Sequence, residues 1–303
     1  MKCILLTQGQ GAQSVLMGRD FYDAFSVFRQ TMEEAEDLAQ LPIRRWIFEG
    51  TAESLKRTDQ SQLAIYSTTV AIYRVLKEAY PEITFEAGIG LSLGEYSVLT
   101  IANALDFQNG IHLVKRRGEL MQEASTRHPG TMAAVLGLTK GQIEPNLVGS
   151  AVLANLNTHL QSVISGKKED IDLTTENLKK AGAKRVIVLD VQGAFHSSLM
   201  QEAYQEFKAI VDSTPFTAPL FPIVMNATAQ FATDPMLIKE LLSQQLISSV
   251  RFQESIELVS NKLPFLELGP GSVVKGLVQK NIDAQVFSVN AVKDLREVTS
   301  CVY

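Results

Sequence analysis

The sequence predicts an α/β protein: a body with a mostly parallel sheet, carrying a small ferredoxin-like subdomain as an insert. Three observations support this. Short apolar strands alternate with helical patterns over most of the chain, the order that parallel strands and helical crossovers require. Between Met132 and Val191 the order becomes β-α-β-β-α-β, the ferredoxin-like arrangement. His128-Pro129-Gly130 punctuates the chain where that stretch begins.

The elements follow in order. Residues 2–7 read as a short buried strand that runs into Gln8-Gly9-Gln10-Gly11-Ala12-Gln13, a tight loop whose backbone can approach a ligand. Helical patterns continue to about Phe48. Residues 62–80 are amphipathic, with Ile65, Ile72, Leu76 and Ala79 on one stripe and Asp59 or Ser61 as the cap. A strand over 85–91 ends in Gly90-Leu91-Ser92-Leu93-Gly94, and helices over 95–102 and 106–124 follow. The insert reads as strand 132–136, helix 140–148, strands 151–156 and 161–165, helix 169–181 and strand 184–191. The body resumes with helix 198–211, strand 223–226 and helices 236–245 and 252–261. Strand 264–268, helix 272–280 and strand 285–289 complete it. The predicted division is a body of residues 1–126 and 195–303 around a subdomain of residues 127–194.

Composition bounds the function. The 303 residues suffice to bury a core without staples. A hydrophobic fraction of 46% and a charged fraction of 20% exclude a disordered tail, a collagen and a coiled coil. No apolar run approaches the roughly 18 residues of a membrane helix, so no membrane role is expected. A net charge of −5 with no basic block argues against nucleic acid as a partner. Cys3 and Cys301 make neither a disulfide framework nor a metal spacing. The first apolar run stops at Thr7-Gln8, too short for a signal peptide, so a cytoplasmic protein with reduced thiols is expected.

Gly90-Leu91-Ser92-Leu93-Gly94 fits G-x-S-x-G, the nucleophile elbow. The Ser sits in a strained strand-to-helix turn, and a side chain at either Gly would meet backbone. The helix that starts there points its N–H groups at the Ser. The bland alternative is a Gly-rich turn with Ser92 as an N-cap. A nucleophilic Ser needs a base. Of the four histidines, His112 reads as solvated and His128 and His159 as turn residues. His196 lies in Gly193-Ala194-Phe195-His196-Ser197, where the chain leaves the insert and two units would form a cleft. It is either the base or a loop histidine bonded to backbone. In the helix over 106–124, Arg117 has Leu113, Val114, Leu120 and Met121 at helical spacing, so it points into an apolar stripe. A buried Arg requires an anion. That anion is a buried Asp or Glu, or a substrate carboxylate held in a bidentate fork.

Taken together, these segments resemble the malonyl-CoA:acyl carrier protein transacylases, the acyltransferases of fatty-acid and polyketide synthesis. The matching stretches span nearly the whole chain: Gln8–Gln13 as spelled above, Gly90 to Ser97, Arg117-Gly118 with Met121-Gln122, and Ala154-Asn155 with Val163-Ile164-Ser165-Gly166. Gly193 to Ser197 and Glu267-Leu268-Gly269-Pro270-Gly271 complete the set. The resemblance implies an α/β-hydrolase-like body with an inserted ferredoxin-like subdomain. It implies that Ser92 attacks the thioester of malonyl-CoA, that His196 accepts the proton, and that the backbone N–H groups of Gln10 and Leu93 form the oxyanion hole. Arg117 would pair with the malonyl carboxylate, with Met121 and Phe195 beside the substrate. A backbone carbonyl would orient the histidine in place of a triad Asp, and the matching segment is near Ser249-Val250-Arg251.

The implied partners are a coenzyme A thioester and the phosphopantetheine thiol of an acyl carrier protein. No permanently bound cofactor or metal is implied, and a monomer is expected. Phe195 would crowd an α-methyl group, a discrimination worth about 1–3 kcal/mol. Leu91, Thr7-Gln8, His159 and Ser272 depart from the commoner family residues without touching Ser92, His196 or Arg117. The alternatives are an editing acyl hydrolase of the same architecture and a non-catalytic module that docks carrier proteins. Lys179, Lys180, Lys184 and Arg185 read as a solvated charged face before they read as a docking patch.

Overall fold

The computed structural model describes residues 2–191, 193–259 and 263–299. Gln192, the end of the helix expected over 252–261, and Cys301 lie outside the described residues. In chain order the strands are β1 (Lys2–Thr7), β2 (Thr84–Gly90), β3 (Thr131–Leu136), β4 (Val152–Thr158) and β5 (Gln161–Gly166). They continue with β6 (Arg185–Val188), β7 (Ile223–Met225), β8 (Gln230–Ala232), β9 (Phe265–Leu268) and β10 (Val286–Val289).

These strands form two sheets. The larger has the order β10-β9-β1-β2-β7-β8 and is parallel except at the β7–β8 pair. The smaller has the order β4-β5-β3-β6 and is antiparallel throughout. That is the ferredoxin-like arrangement expected of its element order. β1 lies at the centre of the larger sheet. Ile4, Leu5 and Leu6 are all fully buried, Leu5 on one face and Ile4 and Leu6 on the other. A strand covered on both faces reads as a continuous apolar run, which is why the pattern did not alternate. From β1 the chain crosses to β2 on one side and later to β9 on the other. Ligands bind where connections diverge in this way, at the carboxyl ends of the strands. The loop after β1 and the turn after β2 both lie at that edge.

Several boundaries differ from expectation, each for a local reason. The helical stretch before Phe48 is three helices, Arg19–Ala24, Ser26–Ala39 and Ile43–Phe48, the second closed by Gln40 in a left-handed conformation. The helix expected over 62–80 is Thr58–Ala79. Neither Asp59 nor Ser61 caps it, because both lie within its first turn and Asp59 pairs with Arg57. This helix is buried nearly all round rather than along one stripe. The helix over 140–148 stops at Ile143, where Pro145 turns the chain into a 3-10 turn. Ser198–Met200 is also a 3-10 turn, and the helix proper is Gln201–Ser213. The edge strand β8 and the helix Leu295–Thr299 were not anticipated; both are short and carry weak periodicity. Asp106 caps the helix Phe107–Arg127 by accepting the Asn109 N–H at 2.7 Å.

The two sheets are tied by backbone. Val250 donates to Ala154 O at 2.8 Å and accepts from Leu156 N at 2.9 Å, bridging the body to β4. Among the described residues, no helix is long and apolar enough to cross a membrane, and no cluster of His, Cys, Asp and Glu could hold a metal ion.

Candidate active site

Ser92 occupies the turn between β2 and the helix Gly94–Ile101. Its φ is +51°, a left-handed conformation that costs a non-glycine residue about 1–2 kcal/mol. The flanking glycines permit the turn. A Cβ on Gly90 would lie 2.1 Å from Glu95 N, and one on Gly94 would lie 2.6 Å from Thr7 O. Side-chain amides then hold the strained backbone. Asn226 Oδ1 accepts the Ser92 N–H at 2.7 Å, and Asn226 Nδ2 donates to Gly90 O at 2.8 Å. Gln245 Nε2 donates to Ser92 O at 3.0 Å.

His196 reaches this serine across the chain. Its Nε2 lies 2.8 Å from Ser92 Oγ, and its Nδ1 lies 2.8 Å from the backbone carbonyl of Gln245. A carbonyl only accepts, so Nδ1 carries the proton and Nε2 is left to accept from the serine hydroxyl. The other three histidines are elsewhere: His112 and His159 are exposed, and His128 pairs with Glu202. Burial, helped by the charge of Arg117, lowers His196 from 6.5 to about 4. The imidazole is therefore neutral at pH 7 and free to act as a base.

The carbonyl that orients His196 sharpens one expectation. It belongs to Gln245, four residues before Ser249, and the Ser248 backbone also interacts with the ring. The backbone of the segment Ser249-Val250-Arg251 is already committed. Val250 bonds β4 through both its groups, and Arg251 N donates to Asn226 O. The carbonyl facing the histidine comes from the 3-10 turn Gln245–Ile247, just upstream.

Arg117 is buried, with 1% of its surface exposed. Nη1 donates to Gln62 Oε1 at 2.5 Å, and Nη2 donates to Gln245 Oε1 at 2.9 Å and to Ser92 Oγ at 3.1 Å. The Tyr96 ring stacks 5.5 Å from the guanidinium carbon. Nε has no hydrogen-bond partner, and none of the direct partners is a carboxylate. Of the two readings open from the sequence, the buried ion pair is thus absent among the described residues. A guanidinium held by neutral amides beside the serine is left with charge to offer a ligand.

These groups face one cavity of about 550 Å³. Gln10, Ser92, Arg117, Met121, Phe195 and His196 all line it. The backbone N–H groups of Gln10 and Leu93 donate to nothing among the described residues. Leu93 turns its side chain into the core and can contribute only backbone. Met121 is fixed by Gln62, whose Nε2 approaches its sulfur at 3.4 Å. Phe195 is 5% exposed. Lys179, Lys180, Lys184 and Arg185 are exposed and do not line the cavity.

The sequence reading missed Gln62, Glu95, Asn226 and Gln245. Amide side chains carry no motif. Asn226 and Gln245 lie 134 and 153 residues from Ser92. The available signal was a polar residue at the carboxyl end of each buried element, Asn226 after an apolar strand and Gln245 after a helix.

A strained serine with a neutral histidine, open N–H donors and a buried cation defines an acyl-transfer site. Comparison with known proteins agrees. The family model described as the acyl transferase domain matches residues 5–299, which places the chain in the acyltransferase class. A malonyl CoA-acyl carrier protein transacylase of Bacillus subtilis (strain 168) is 39% identical over 290 residues, 92% of this chain and 90% of that protein. The enzyme of the same name from Haemophilus influenzae is 35% identical over 307 residues, 98% of each chain. A malonyl-transacylase solved in complex with a type II polyketide synthase acyl-carrier protein superposes with a TM-score of 0.95 at 31% identity, covering 99% of this chain and 100% of that one. The chain belongs to the malonyl-CoA:acyl carrier protein transacylase family.

Proposed function

We propose that this protein moves a malonyl group from malonyl-CoA to the phosphopantetheine thiol of an acyl carrier protein, through an acyl-enzyme on Ser92. The observation that carries the proposal is the juxtaposition of Arg117 and Ser92. A buried guanidinium lacking a direct carboxylate partner lies 3.1 Å from a hydroxyl that is itself 2.8 Å from a neutral imidazole. A thioester whose acyl group ends in a carboxylate satisfies both at once.

The steps follow from the geometry. Ser92 Oγ attacks the thioester carbonyl carbon, and its proton passes to His196 Nε2. The oxyanion that forms is met by the N–H groups of Gln10 and Leu93, with the N-terminus of the helix Gly94–Ile101 behind them. Collapse breaks the C–S bond, and the coenzyme A sulfur leaves with the proton from His196. The Gln245 carbonyl stabilises the imidazolium while it exists. The second half runs in reverse, with the carrier thiol giving its proton to His196 and attacking the Ser92 ester. Nothing is oxidised or reduced, so the reaction as proposed needs no cofactor. Arg117 holds the malonyl carboxylate throughout, and Met121 and Phe195 enclose the acyl group.

The proposed cleft lies between two units, a body of residues 1–126 and 195–303 and a subdomain of residues 127–194. The bridge through Val250 and β4 supports their mutual placement.

Two-substrate kinetics test the reading. With malonyl-CoA and holo carrier protein both varied, a Ser92 acyl-enzyme predicts parallel double-reciprocal lines. Intersecting lines would require both substrates on the enzyme together and would overturn it.

A further inference from the structure

Thr7 and Gln8, which depart from the commoner family residues, bury polar side chains where β1 ends and its loop begins. Buried polar groups are costly unless bonded, so their partners show what they hold. Thr7 Oγ1 donates to Gly94 O at 2.8 Å, and Thr7 O accepts from Leu91 N at 3.1 Å. Thr7 thus joins the end of β1 to the elbow on both sides of Ser92.

Gln8 turns the other way. Its Nε2 donates to Glu267 Oε1 at 2.5 Å. Glu267 is buried on β9 and also accepts from Lys275 N at 2.8 Å and from Ser288 Oγ. Lys275 stands in the first turn of the helix Val273–Asn281, and Ser288 stands on β10. One carboxylate therefore ties the loop after β1 to two further elements at the same sheet edge. Gln8 Oε1, by contrast, is buried with no hydrogen-bond partner among the described residues. An apolar side chain of similar size would avoid that cost. What the amide adds at this position is its donor to Glu267.

Both bonds lie just ahead of Gln10. Gly9 packs directly on the elbow, since a Cβ there would lie 2.4 Å from Leu91 O. Gln10 follows with one N–H of the proposed oxyanion hole, and Leu93, the source of the other, lies between Leu91 and Gly94. Past Gln10 the loop reaches the surface, where Gly11 is exposed and its N–H bonds Gln13 Oε1. The Gln10 side chain adds one bond, from Nε2 to Thr58 Oγ1 at 3.2 Å. The buried anchors of this backbone are on the Thr7 and Gln8 side.

We propose that Thr7 and Gln8 are positioning residues for the oxyanion hole: their bonds to Gly94 and Glu267 set the spacing between the Gln10 and Leu93 N–H groups. The inference rests on the function proposed above and extends it to what aligns the transition state. The oxyanion forms on the thioester carbonyl whatever the rest of the acyl group carries. Alignment of the hole therefore acts on malonyl and acetyl donors alike, whereas Arg117 tells them apart. It also acts on the transition state rather than on the bound donor, so it moves the rate and not the affinity.

The test measures Ser92 acylation by malonyl-CoA and by acetyl-CoA, each at varied concentration, in wild type, Gln8→Met and Thr7→Val. Methionine keeps the length of Gln8 without its donor, and valine keeps the shape of Thr7 without its hydroxyl. Misplacing a reacting group by about 1 Å costs roughly 100-fold, and losing a whole oxyanion donor costs about 100-fold to about 1,000-fold. These variants shift a donor without deleting it. The maximal rate should therefore fall by roughly tenfold to roughly 100-fold for both donors, with the half-saturating concentration unchanged. Thr7→Ser keeps the hydroxyl and should keep the rate. The fraction of Ser92 acylated at completion counts folded enzyme, which separates a slowed site from a lost fold. A wild-type maximal rate in either variant overturns the inference, as does a change confined to the half-saturating concentration, to the acylated fraction or to malonyl-CoA. Should Gln8→Met fail to fold, Thr7→Val against Thr7→Ser decides by the same criteria. A wild-type protein that takes no malonyl group refutes the proposed function instead, so the two failures are distinguishable.

Discussion

Replacing Arg117 by alanine separates recognition of the substrate's charge from the chemistry at Ser92. The guanidinium is buried, its Nε has no hydrogen-bond partner, and its Nη2 reaches Ser92 Oγ at 3.1 Å. Truncating one partner of a buried, hydrogen-bonded charge pair costs about 2–5 kcal/mol. That corresponds to a loss of roughly 30-fold to roughly 5,000-fold in kcat/KM for malonyl-CoA. A neutral acyl group has no carboxylate to lose, so acetyl transfer should fall far less or rise. The variant also leaves Gln62 Oε1 and Gln245 Oε1 without their donor, at a stability cost of about 1–3 kcal/mol each. Relief of a buried, unmatched cation offsets part of this. A second signature comes with it. The charge of Arg117 is the lesser of two causes that depress His196, so its removal should lift the imidazole only part of the way from about 4 toward 6.5. The assay measures acylation rates from malonyl-CoA and acetyl-CoA on Arg117→Ala and wild type, with thermal unfolding to confirm the fold. Equal loss for both donors would refute the role of Arg117 as a carboxylate clamp.

Four further outcomes are expected. The acid limb of kcat/KM should fall near pH 4 rather than near 6.5, because His196 stays neutral until then; a limb near 6.5 would mean that its burial does not act as described. The same depression gives a stability term that is whole above about pH 6.5 and lost as pH falls toward about 4, readable from denaturant titrations. Asn226→Ala should lower stability by about 2–4 kcal/mol and slow both acyl donors alike, since it frees Ser92 N–H and Gly90 C=O at the turn; an unchanged melting temperature would contradict that. Gly90→Ala should fail to fold or lose all acylation, because its Cβ would meet backbone at 2.1 Å, and an active variant would show the elbow to be more pliant than its packing implies.

The fold was legible wherever local pattern and tertiary role coincide. β1 beyond Lys2 and the second half of β2 are apolar because they are buried, and the turn after β2 needs glycines that can be recognised by type. The order of elements within residues 131–188 reproduced the antiparallel sheet without knowledge of its contacts. What could not be read is the polar scaffold under the site. Gln62 sits in a helix that the pattern treats as apolar, and Asn226 and Gln245 become partners of Ser92 only when distant elements meet at one sheet edge. Glu95 stands next to the elbow in the sequence, yet its burial depends on Asn226 and Gln245 arriving to satisfy it, so its place under the site was not legible. The orienting carbonyl was legible only as a neighbourhood for the same reason: side-chain identity does not reveal which backbone group is left unpaired.

The most direct test of the central claim is intact-protein mass spectrometry of the enzyme after brief exposure to malonyl-CoA, with Ser92→Ala alongside and holo carrier protein added second. The account predicts one malonyl adduct on the wild type, none on Ser92→Ala, and transfer of that adduct to the carrier. An adduct that persists in Ser92→Ala, or one lost to water at the same rate with and without carrier, would contradict it.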